Sequence, residues 1–117
     1  MDILITCEEI NDLAKEMLPT VRDAALDGVR ASKVVSRAEG QLAEPVTQAI
    51  SIAVKTGLAG VVVEKLTKFV WDSIASWIKR KNKPVQVEND GRKVTITVEM
   101  AHVETPPIEL KVLFGDR

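Results

Sequence analysis

Cysteine and histidine are almost absent from this chain, with one of each, Cys7 and His102, among 117 residues. A lone thiol excludes an intramolecular disulfide and any multi-cysteine metal centre, and it suits a reducing compartment. A lone histidine near the end of an expected strand has no partner close in sequence with which to catalyse or bind a metal. A surplus of either charge is missing too: 16 Lys and Arg against 17 Asp and Glu leave a formal net charge of -1. That balance gives no global attraction to nucleic acid or to an anionic membrane. Long apolar runs are also lacking. The longest uncharged run is the ten residues from Pro45 to Val54, followed by eight from Thr56 to Val63, whereas a bilayer span needs about 20. Asp2 follows the first methionine and Ile3-Leu4-Ile5 is too short for a signal-peptide core. A soluble, cytoplasmic protein is expected.

Catalytic and cofactor motifs are missing as well. There is no nucleophile elbow, no glycine-rich phosphate loop and no histidine-rich motif. The expectation is therefore a protein that is not an enzyme, with no catalytic, cofactor-binding or metal site.

What is present is 45% hydrophobic residues, ordinary for a globular protein, on a chain long enough to bury a core as one domain. Ile3-Leu4-Ile5 reads as a short buried strand. Thr6 and Glu9 fit a capping box, so a helix is expected from Cys7 with Ile10, Leu13, Ala14, Met17 and Leu18 on its apolar face. At such a helix start the dipole would favour the Cys7 thiolate, although a small packed side chain is the plainer role. Pro19 closes or kinks the helix, and Thr20 with Asp23 caps a further short turn. Val29 to Ser36 carries both strand and helix signals, and Val34-Val35 tips it towards strand.

The longest helical pattern runs from Pro45 to Lys83. Proline suits a first helical position, and Val46, Ile50, Ala53, Gly57, Val61, Leu66, Phe69, Ser73 and Trp77 wind one stripe. Lys65, Lys68, Asp72, Ser76 and Lys79 trace the opposite, solvent-facing side. A straight helix of that length would span roughly 50 Å, more than a domain this small should measure, so a bend or break is expected at Gly57 to Gly60. After Pro84 the period changes to two. With Asp90-Gly91 as the turn, Asn89 faces Arg92, Glu88 faces Lys93, Val87 faces Val94 and Val85 faces Ile96. The second strand is read through Val98 and Met100. A last strand, Ile108 to Phe114, follows Pro106-Pro107, with Ile108, Leu110, Val112 and Phe114 inward. It would offer an edge through which copies of the chain could pair.

Together these elements predict an α+β domain, a small antiparallel or mixed sheet with a helical core over 45–83 packed on one face and a hairpin and strand over 84–114. The candidate interaction surface is Trp71 with Lys79, Arg80, Lys81 and Lys83. The four cations are accounted for by a helix C-terminus. Nucleic-acid binding lacks aromatic residues between them, and a membrane-surface role is weakened by Trp77 lying in the core stripe. Trp71, beside the polar arc, is either a contact anchor for another protein or packed under the sheet or a loop.

Gly40-Gln41-Leu42, the small and apolar residues from Val46, Gly57, Trp77-Ile78-Lys79-Arg80-Lys81, Val85-Gln86-Val87 and Asp90-Gly91-Arg92-Lys93-Val94-Thr95-Ile96 together resemble the effector-associated constant component proteins of bacterial conflict systems. The resemblance covers residues 40–98; Pro106-Pro107 and the segment after it have no counterpart. It implies a non-enzymatic adaptor or regulator whose partner is an effector enzyme or an NTPase-type regulator, and it supplies no catalytic residues. A small inhibitor or immunity-type protein that blocks one enzyme is the alternative.

Overall fold

The computed structural model describes residues 2–36, 47–55, 60–89, 91–103 and 105–115. In chain order the elements are β1 (Asp2–Thr6), α1 (Ile10–Asp23), β2 (Val29–Ser36), β3 (Thr47–Val54), α2 (Gly60–Lys81), β4 (Val85–Asn89), β5 (Arg92–Ile96), α3 (Val98–Ala101) and α4 (Ile108–Leu113). The five strands form one sheet in the order β2-β3-β1-β4-β5, every neighbouring pair antiparallel. The expected α+β class is what the structure has.

Cross-strand register decides which side of the sheet is covered. Ile3 lies opposite Ile52, Ile5 opposite both Ile50 and Val87, and Val85 opposite Ile96, so these side chains share one face. They pack in a single cluster with Leu13 and Met17 of α1, Leu66, Trp71, Ile74, Trp77 and Ile78 of α2, and Leu110 and Phe114 around α4. The helices therefore lie on one face of the sheet. On the other face stand Leu4, Ser51 and Glu88 in one row.

The hairpin register agrees pair for pair with the one derived from sequence, from Asn89 opposite Arg92 to Val85 opposite Ile96. Gly91 takes φ +78°, a left-handed conformation that costs an ordinary L-residue roughly 1–2 kcal/mol. Asp90 of that turn lies outside the described residues. The solvent-facing arc of α2 also agrees: Lys65, Lys68, Asp72, Ser76 and Lys79 are exposed. Val29–Ser36 is the strand expected of it.

Several expectations require correction. The helical core expected over 45–83 holds a strand, β3, where Thr47–Val54 was read as helix. Ile50, Ile52 and Val54 alternate inward and β-branched residues suit a pleated surface. The places on the opposite face are filled by Ala49, Ser51 and Ala53, whose small and partly apolar side chains hide the period of two and also satisfy a helical stripe. Glu44-Pro45, Gly57 and the segment up to Ala59 lie outside the described residues; α2 begins at Gly60.

The last strand expected over 108–114 is the helix α4. Leu110, Leu113 and Phe114 are buried while Ile108 and Val112 are exposed, a three-to-four residue spacing rather than alternation. The Asn89 amide donates to the Leu113 carbonyl at 2.9 Å, satisfying an acceptor that a helix end leaves free. The edge through which copies were expected to pair is therefore absent there. Likewise β5 stops at Ile96, because the Thr97 hydroxyl accepts the Met100 amide at 3.3 Å and caps α3.

At the chain start, α1 begins at Ile10 rather than Cys7, and Glu9 stands at its N-cap without a side-chain cap bond, so the Thr6–Glu9 box does not form. Pro19 lies inside α1, which continues to Asp23 because Val21 extends the buried face. Thr20 makes no new cap; its hydroxyl donates to the Glu16 carbonyl at 2.8 Å.

Candidate functional site

The basic end of α2 and the acidic edge of α1 meet along one seam. Ile10, Leu13, Ala14, Met17 and Val21 turn one side of α1 into the core, which leaves Asp12 and Glu16, four residues apart, along the flank beside α2. Trp77 is fully buried, yet its indole N–H reaches the rim and donates to Asp12 Oδ2 at 3.0 Å. Lys81 Nζ approaches the same oxygen at 3.3 Å. Arg80 pairs with Glu16. Lys83, past the helix end, sits 3.2 Å from Glu8 and 3.4 Å from Glu9.

These contacts move charge equilibria in the direction the geometry demands. The indole hydrogen bond, followed by Lys81, holds the Asp12 carboxyl below its ordinary 3.8. The Glu8 hydrogen bond, with Glu9 beside it, raises Lys83 above its ordinary 10.5. Both groups lie at the solvent-facing rim, where ion pairs are worth little individually. Their joint effect is to fix the two helices in register over a tryptophan.

Of the sequence-derived surface, then, Arg80, Lys81 and Lys83 face carboxylates of their own chain. Lys79 is exposed and has no ion pair among the described residues. Of the two roles open to Trp71, contact anchor or packed side chain, the structure has the packed one. The tryptophan is 1% exposed and belongs to the core, because Leu66, Val70, Trp71, Ile74 and Ile78 set the buried arc of α2 and the expected stripe through Phe69 and Ser73 runs along its half-buried border.

An open cleft of about 580 Å³ lies at the start of α1, walled by Cys7, Glu9, Asp12, Lys15 and Gln48. Its thiol is no activated nucleophile: burial, with Glu9, Asp12 and Glu8 adding to it, pushes Cys7 up to about 11. The helix dipole does not rescue it, since α1 begins three residues later and Glu8, Glu9 and Asp12 gather about its start. His102 is exposed at the C-cap of α3. Among the described residues no group of three or more His, Cys, Asp or Glu side chains is placed to hold a metal ion, and no helix is long and apolar enough to cross a membrane.

The C-terminal segment carries an apolar surface that its alternating sequence conceals. Val103 is 56% exposed, Ile108 76% and Val112 53%. Ile108 and Val112, one turn apart, share the outer side of α4. The signal was in the sequence, but alternation assigned both residues to the core.

No family model and no curated protein matches this chain. Among solved structures it is similar to a phage SAM lyase in complex with S-methyl-5'-thioadenosine, at 14% identity and a TM-score of 0.37, over 84% of this chain and 88% of that one. That neighbour is an enzyme, and the expectation that this chain is not one is withdrawn on that finding. The likeness carries nothing about reaction or ligand.

Proposed function

We propose that this chain is a cytoplasmic protein-interaction module, an adaptor or regulator whose partner is an effector enzyme or an NTPase-type regulator of a bacterial conflict or signalling system. The resemblance of residues 40–98 to the effector-associated constant components motivates the biological setting. The observation that carries the contact reading is the pair Ile108 and Val112. A chain that encloses both tryptophans, Phe114 and the apolar residues along the inner sides of its helices leaves two β-branched side chains in water on one helical turn. Scattered apolar residues are normal on a surface; adjacent ones on an outward helix side are the kind of feature a partner covers.

The basic end of α2 contributes less to this reading than its sequence suggested, because Arg80 and Lys81 already face carboxylates of α1 and Lys83, past the helix end, faces Glu8 and Glu9. Binding through α4 should therefore respond weakly to salt. The test is affinity capture from the native cells with wild-type chain and with Ile108→Asp/Val112→Asp. A protein retained at near-physiological and at raised salt by the wild type, and lost with the variant, supports the proposal. Equal capture by both overturns it.

A further inference from the structure

A second surface lies at the opposite edge of the sheet from α4, and it does not depend on the α4 reading. β2 is the outermost strand, eight residues long, and it pairs with β3 from Val29 opposite Val54 to Ser36 opposite Thr47. The direction of its backbone groups follows from one bond: the Lys55 amide donates to the Gly28 carbonyl at 2.8 Å. Gly28 opposite Lys55 is thus a hydrogen-bonding pair. Alternation along an antiparallel ladder then makes Arg30 with Ala53, Ser32 with Ser51 and Val34 with Ala49 the pairs that bond to β3. The N–H and C=O groups of Ala31, Lys33 and Val35 point the other way, out of the sheet. Val29 is excepted, since its amide donates to the Leu26 carbonyl at 3.2 Å.

The chemistry of that edge selects what pairs with it. The strand Val-Arg-Ala-Ser-Lys-Val-Val-Ser holds two cations, Arg30 and Lys33, and no acid. Both are exposed, and neither has an ion pair among the described residues; Lys33 Nζ donates to the neutral Asn11 amide oxygen at 2.8 Å, which orients the ammonium without neutralising it. A second copy of this strand would bring two cations against two, and a lysine on an edge discourages such pairing. An extended segment carrying acids meets the opposite situation. Arg30 belongs to the face of the sheet opposite the helices, in the row of Ala53, and Lys33 to the helix-bearing face, opposite Ile50. Three residues apart on a strand means opposite faces.

We infer that the β2 edge receives an extended acidic peptide segment of another protein as a sixth strand, with two acids three residues apart, one meeting Arg30 and the other Lys33. Backbone bonds to Ala31, Lys33 and Val35 supply the attachment and the two acids supply orientation and choice.

The test is an NMR titration of the full chain with the capped peptide Thr-Val-Glu-Thr-Val-Glu-Val-Thr, followed by amide exchange. The expected result is slowed exchange at Ala31, Lys33 and Val35, with no change at Ser32 and Val34, whose amides already bond to β3. Replacing both peptide glutamates by glutamine should weaken binding about tenfold, and the lysine version should not bind. Lys33→Pro removes an outward N–H that the sheet does not use and should abolish binding, while Lys33→Gln, which keeps that N–H, should weaken it only several-fold. Ile108→Asp/Val112→Asp should bind the peptide as the wild type does, which separates this proposal from the α4 reading. Unchanged exchange at Ala31 and Lys33 at millimolar peptide overturns the inference. So does equal binding of the glutamate and glutamine peptides, whatever the behaviour of the proline variant.

Discussion

Replacing Trp77 probes packing and electrostatics at once, and the two parts separate with pH. The side chain is fully buried, so Trp77→Ala opens a cavity that costs about 3–5 kcal/mol, against a total of roughly 5–15 kcal/mol for a domain. With an unfolding entropy of about 2.1 cal/mol/K per residue, a chain of this length loses roughly 4 °C of Tm for each kcal/mol. The alanine variant should therefore melt about 12–20 °C lower. Trp77→Phe keeps most of the ring and removes the indole donor to Asp12, so its fall should be much smaller but pH-dependent. Asp12 has a folded-state pKa held below 3.8. Its contribution is present above its unfolded value and disappears as pH falls through the folded one. The Tm deficit of the phenylalanine variant should accordingly be full at pH 7 and shrink as pH drops below 3.8. Thermal melts followed by circular dichroism across that range provide the check. A deficit that is the same at pH 7 and in acid, or none at pH 7, would refute the role assigned to the Trp77–Asp12 bond.

Three further outcomes follow from particular residues. Gly91→Ala meets open space for its new methyl group but must hold φ near +78°, so stability should fall by about 1–2 kcal/mol, read as a lower denaturation midpoint with an unchanged slope; no change would mean that the turn adopts another conformation. Because burial raises the Cys7 thiol to about 11, iodoacetamide labelling of the folded chain should accelerate through pH 10, whereas a plateau by pH 9 would contradict the burial argument. Both tryptophans are enclosed, so acrylamide should quench their fluorescence weakly until the chain unfolds, and efficient quenching of the native protein would place Trp71 at the surface after all.

How much of this was legible beforehand depends on whether one period alone fitted the residues. The β4–β5 hairpin could be written pair by pair because charge met charge and apolar met apolar in one register only. The outer arc of α2 was equally plain, since its lysines and acids recur at helical spacing. Thr47–Val54 failed because alanines on the face opposite the helices made alternation and a helical stripe equally good. Ile108 to Phe114 is ambiguous for the complementary reason: over so short a segment Ile108, Leu110, Val112 and Phe114 alternate, while Leu110, Leu113 and Phe114 recur helically, and only the packing against β4 and β5 decides. Trp71, beside the polar arc, fits either a contact anchor or a packed side chain by sequence, and a shift of the buried arc by one residue makes it the packed one. The seam between α1 and α2 rests on pairs such as Asp12 with Trp77, 65 positions apart, which no local pattern records. Nor did any pattern record the outward amides of β2, because an edge is defined by strand order.

If this chain works by holding another protein, hydrogen exchange on a complex captured from its native cells will show where. Exchange should slow over α4 around Ile108 and Val112, and, where the partner supplies an acidic strand, at Ala31 and Lys33. Capture of no protein would contradict the contact reading, and protection confined to Lys79 through Lys83 would contradict the surface assigned to α4.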